Sequence, residues 1–122
     1  MKNENPFLDF DDYQHKAIST LKHGSISHLG FGLMAEAGEV STLLQKYFRH
    51  DPTYRQPDLF DGDGFTPEFR EKMYKELGDV IWYTACLADY FGFPLSAVVN
   101  HNVKKLQKRQ QEGKIHGDGD NR

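Results

Sequence analysis

The sequence predicts an all-α fold, a four-helix-bundle-like protomer, on three observations. Apolar residues recur at helical spacing in four segments, no stretch shows the strict alternation of a strand, and Gly, Pro and cap-like residues separate the segments. The 122 residues are 38% hydrophobic, with nine Phe, six Tyr and one Trp, which is the composition of a globular chain. A length of 122 fits one domain over residues 1–122.

The first helix is expected from about Asp9 to Lys22, with Phe10, Tyr13, Ala17, Ile18 and Leu21 on one side. "KHGS" breaks it, and Ser27 is the expected N-cap of a second helix from about His28 to Phe48. That helix carries Leu29, Leu33, Val40, Leu43, Leu44 and Tyr47 as its stripe. "RHDPTYRQPDLFDGDGFTP" is crowded with Pro, Gly and Asp, so residues 49–66 form a long inserted loop. Thr66, Pro67 and Glu68 supply a cap, a first-turn proline and an acidic first turn for a third helix reaching about Phe91. The fourth helix runs from about Pro94 to Gln111 on the stripe Leu95, Val98, Val99 and Leu106, and a Gly-rich tail occupies residues 113–122. Trp82, nearly opposite the third stripe, is expected at an interface between copies.

A formal charge of −3 argues against a general nucleic-acid or membrane-surface binder. The polar start "MKNENPFLDF" has no apolar signal core, and no apolar run approaches the length of a membrane span. The single cysteine, Cys86, cannot form an internal disulfide and reads as an inert core thiol. A soluble, cytoplasmic protein is expected.

Function is carried by a repeated oddity. "LMAEAGEV" puts Glu36 and Glu39 three apart in an otherwise apolar helix, and "KELGDVIWY" does the same with Glu76 and Asp79. At about 100° per residue, Glu36 falls in the middle of its stripe and Glu39 at the edge. Glu76 borders the stripe Met73, Leu77, Val80, Thr84 and Leu87, with Asp79 and Tyr83 beside it. Four carboxylates turned towards one interior repel each other and resist desolvation. Either basic side chains or a hard divalent cation must compensate them, and oxygen-only ligation favours Mg²⁺ or Mn²⁺ over zinc. The Glu-x-x-His of di-iron bundles is absent from the chain.

In "NHNVKKLQKRQ", Asn102, Lys105 and Arg109 make one polar ridge, while Lys104 and Lys108 point outward. Lys and Arg suit phosphate oxygens, and Asn suits a sugar or phosphate. A polyphosphate ester satisfies both sets of residues, its oxygens bridging a carboxylate-bound metal and its remaining charge meeting the ridge. Lys46, two turns after Glu39, would add a phosphate contact, and Tyr83 a stacking surface for base or ribose.

"GLMAEAGEV", "KELGDVIWY" and "NVKKLQKR", in that order, resemble the MazG-like all-α nucleoside triphosphate pyrophosphohydrolases over about residues 10 to 122. The resemblance implies Mg²⁺ on Glu36, Glu39, Glu76 and Asp79, with nucleotide contacts from Asn102, Lys105 and Arg109. It also implies cleavage of a nucleoside triphosphate to the monophosphate and pyrophosphate, in nucleotide-pool sanitation, by a homodimer or homotetramer. Glu39 or Glu36 would orient the attacking water. Two departures stand out: Ala35 replaces the first of a double glutamate, and the 49–66 insertion is longer than the family's short connection. Arg122 of the tail would reach phosphate if the tail closes over the site. A phosphoribosyl-ATP pyrophosphohydrolase or a dimeric dUTPase-like enzyme shares the helical core and acidic motifs. From a different class, a non-enzymatic helical-bundle interaction protein would pair its carboxylates with Lys105, Arg109 and Lys46.

Overall fold

The computed structural model describes residues 7–50 and 65–113. These form four helices, α1 (Phe10–Ser19), α2 (Ile26–His50), α3 (Pro67–Tyr90) and α4 (Leu95–Gln111), with no strand among the described residues. The all-α expectation therefore holds. Most of the expected 49–66 loop, and the tail with Arg122, lie outside the described residues.

Local chemistry sets each helix start. The Asp9 carboxylate accepts from the Asp12 N–H at 2.7 Å, and the Thr66 hydroxyl accepts from the Phe69 N–H at 3.2 Å ahead of Pro67. The cap of α2 is Ser25, not Ser27: its hydroxyl accepts from the His28 N–H at 3.2 Å, so the helix starts one half-turn earlier than the apolar pattern implied. The α3–α4 turn uses Gly92 at φ 76°, where L-residues with a Cβ are strained. The Phe93 N–H then reaches back to the Ala88 carbonyl at 2.8 Å.

α3 is the central element, since each of the other three helices packs against it and α1 also packs on α4. The fully buried core sits towards the C-terminal half of α3, built from Ala17, Leu29, Ala85, Cys86, Ala88 and Leu95. Small residues there let the helix backbones approach closely. Burial pushes the Cys86 thiol up, which keeps it neutral and agrees with an inert core thiol.

Two polar contacts tie α1 into this core. Gln14, 5% exposed, donates through Nε2 to the Ala85 and Phe93 carbonyls at 3.1 and 3.0 Å, and its Oε1 accepts from the Leu95 N–H at 3.0 Å. One side chain thus joins α1, α3 and the start of α4. The Asp11 carboxylate accepts from the Ser96 N–H at 2.9 Å and from its hydroxyl at 2.7 Å, which holds the Asp11 carboxyl below the usual carboxylate range.

Three sequence expectations are corrected. Trp82 does not face outward: its indole N–H donates to the Thr20 hydroxyl at 2.9 Å, and the ring packs against the core. α1 ends at Ser19 instead of near Lys22, and Thr20 becomes the cap that meets Trp82. Leu77, Val98 and Leu106, expected in buried stripes, are exposed.

Gln14→Leu keeps the bulk of the side chain but strands an N–H and two carbonyls. The expected cost is about 2–3 kcal/mol, measured by urea unfolding with the fluorescence of Trp82 as the reporter. A change below about 0.5 kcal/mol, the usual size of a surface effect, would show that Gln14 is not a linchpin.

Candidate metal and nucleotide site

α2 and α3 pack along each other, and the register is visible at Gly32. A Cβ there would collide with Cε1 and Cζ of Tyr83 and lie 2.8 Å from its Cδ1, so only glycine admits the ring. Glu36 follows Gly32 by one turn on α2, and Asp79 precedes Tyr83 by one turn on α3. The two antiparallel helices therefore bring the acidic motifs level with each other.

Carboxylate oxygens of Glu36, Glu76 and Asp79 all lie within 4.8 Å of one another. Glu36 and Glu76 are half-buried, and Asp79 is exposed at the mouth. Glu39, expected as the fourth ligand, is exposed and stands outside this set. Among the described residues no lysine or arginine forms an ion pair with any of the four carboxylates.

The electrostatic result falls on Glu36. Burial pushes its carboxyl up, and the charges of Asp79, Glu76 and Glu39 push it further in the same direction. Tyr13 of α1 packs against the buried core, and burial raises its hydroxyl, with smaller contributions from Cys86 and Asp79.

The donor set fits a hard divalent cation. Ligands around Mg²⁺ at about 2.1 Å are at most about 4.2 Å apart, so oxygens within 4.8 Å need only a small side-chain rotation to share one ion. All donors are carboxylates, the chemistry that Mg²⁺ and Mn²⁺ prefer.

The remaining expected residues are spread over three helices. Tyr83 is half-buried, edge-on to Trp82 with ring centroids 4.9 Å apart, and tilted against His28 at 6.2 Å. Lys46 is exposed on α2. On α4, Asn102 is exposed, Lys105 is half-buried and Arg109 is only 5% exposed, while Lys104 and Lys108 are exposed as expected. α4 reaches the acidic pair of helices through α3, not through α2. His28 was missed by sequence reading, although its place eight residues before Glu36 was a usable signal.

Ionised Glu36 destabilises the metal-free fold, because a raised folded pKa means that the folded state holds its proton more tightly than the unfolded state. The penalty is absent below the unfolded carboxyl pKa and grows as pH rises through the folded one. Glu36→Gln is expected to raise the melting temperature of the chelator-treated protein at pH 7 by a few degrees and to respond less than the wild type to added Mg²⁺. A lower melting temperature for the variant would contradict this electrostatic account.

Residues 25–113 match the MazG nucleotide pyrophosphohydrolase domain, a span that begins at the Ser25 cap and takes in α2, α3 and α4. Gene 37 protein of Mycobacterium phage L5 is 41% identical over 98 residues, covering 80% of this chain and 76% of the phage protein. Uncharacterized protein YvdC of Bacillus subtilis (strain 168) is 33% identical over 88 residues, covering 72% of this chain and 77% of its own length. No solved structure matches the chain at a significant level. On the family match and these two relatives, the chain belongs to the MazG nucleotide pyrophosphohydrolase domain family.

Proposed function

We propose that this chain hydrolyses nucleoside triphosphates, ribo or deoxy, to the monophosphate and pyrophosphate in an Mg²⁺-dependent reaction, with Mn²⁺ as a substitute ion. The observation that carries the reading is the convergence of Glu36, Glu76 and Asp79 without an ion-paired lysine or arginine among the described residues. Such a group is stable chiefly when a cation joins it. Removal of unwanted nucleotides from the cellular pool is the role that fits this activity.

Glu36, Glu76 and Asp79 would hold the ion, which supplies charge neutralisation for the phosphate chain and for the departing pyrophosphate. Glu39, outside the three-oxygen set, would orient the attacking water and accept its proton. The water oxygen would bond to one phosphorus of the α–β bridge while that phosphorus breaks its bond to the bridging oxygen, which leaves with the electron pair on the other fragment, so that the monophosphate and pyrophosphate form. Lys46, Asn102, Lys105 and Arg109 would meet phosphate or sugar oxygens, and Tyr83 the base or ribose.

The assembly we propose is a homodimer or homotetramer. At 100° per residue, Tyr74, Leu77 and Ile81 of α3 lie on the flank away from Asp79, and Met34 of α2 lies on the same side, bordered by Phe31. Phe31 is 74% exposed, Met34 76% and Tyr74 82%, with Leu77 and Ile81 about half exposed. An apolar flank of this kind suits a second copy that presents the same face.

A panel of nucleoside triphosphates with Mg²⁺, scored for pyrophosphate release, tests the activity and separates it from hydrolysis confined to phosphoribosyl-ATP or dUTP. Turnover of several triphosphates is expected. Glu76→Gln and Asp79→Asn should each lower kcat by at least about 100-fold, given the several kcal/mol that a metal supplies; a panel without turnover contradicts the reading. Leu77→Glu and Ile81→Glu are expected to yield monomers by sedimentation velocity, whereas an unchanged mass would place the interface elsewhere.

A further inference from the structure

Beside the carboxylates stands a row of rings, of which the pyrophosphohydrolase reading uses Tyr83 and leaves the two histidines without a role. The Tyr83 ring is pinned on the Gly32 backbone and braced by Trp82, so its orientation is fixed. The exposed His28 ring follows at 6.2 Å with an interplanar angle of 56°, and the exposed His23 ring meets His28 edge-on at 5.9 Å.

The spacing of this row is that of a nucleotide. His28, Gly32 and Glu36 step along one side of α2 at four-residue intervals. With a rise of 1.5 Å per residue, His28 lies about 12 Å along the axis from Glu36, and Tyr83 about 6 Å from Asp79. A triphosphate whose phosphates lie at the carboxylates therefore carries its base to the level of these rings. The opposite direction along the α2–α3 seam is occupied, because Phe65 and Phe69 stack there and Tyr47 lies tilted against both, with centroids 4.8–4.9 Å apart.

We infer that His28, backed by His23, extends Tyr83 into a stacking platform for the nucleobase, and that this platform lets the site distinguish a nucleotide from bare polyphosphate. The inference rests on the pyrophosphohydrolase reading of the carboxylate site. Every base has a π-face, so stacking tolerates all of them; the platform selects for the presence of a base more than for its identity.

The test is equilibrium binding, with Mg²⁺, of a non-hydrolysable nucleoside triphosphate analogue and of inorganic tripolyphosphate to the full chain. His28→Ala is expected to weaken the nucleotide analogue by about five- to tenfold, the lower range for loss of one stacking partner, and to leave tripolyphosphate unchanged. His28→Phe, which keeps a ring and loses the imidazole, should retain most of the nucleotide affinity; loss as large as in His28→Ala would overturn stacking. An unchanged nucleotide affinity in His28→Ala, or an equal loss for tripolyphosphate, also overturns the platform while leaving the hydrolase reading intact. A wild type that binds neither ligand overturns both.

Discussion

The seat of Tyr83 on the backbone of Gly32 is the contact on which the rest of the site depends. Two long helices can slide past each other by whole turns at little cost when their facing residues are merely apolar. A ring that fits only where a Cβ is missing removes that freedom. With α2 and α3 locked there, Glu36 has no choice but to face Glu76 and Asp79. The same lock orients Tyr83 beside them and sets His28 one turn beyond Gly32.

The locked pair has two unlike flanks. One concentrates carboxylates that repel each other, and the other exposes Met34, Tyr74, Leu77 and Ile81 to solvent. Neither flank is satisfied within the described residues, for opposite physical reasons: one calls for a cation, the other for apolar surface. The firmly packed part of the molecule lies elsewhere, where Gln14 and Trp82 fasten α1 to α3 through hydrogen bonds. Stability concentrated at that end leaves the acidic and apolar flanks to be stabilised by what binds them.

Much of this was legible in the sequence, because a helix displays its periodicity residue by residue. Thr66, Pro67 and Glu68 announced the start of α3, and the central place of Glu36 on its stripe announced its half-buried position among other carboxylates. Glu39 was expected as a fourth ligand, whereas it is exposed and outside the three-oxygen set. Periodicity says which face of a helix is apolar but not what covers it. Leu77 was therefore placed in a core that the described residues do not provide, and Trp82 was placed at an interface although Thr20, 62 residues away in the chain, accepts its N–H. The three hydrogen bonds of Gln14, each spanning more than 70 residues, leave no local pattern at all.

The central claim is that the acidic helices form a cage for one divalent ion. Diffraction from crystals grown with Mn²⁺, read at the manganese absorption edge, locates such an ion without reference to activity. The account predicts an anomalous peak about 2.2 Å from oxygens of Glu36, Glu76 and Asp79 together. A crystal with no peak among these residues, or with a lysine or arginine side chain folded into their midst, would contradict it.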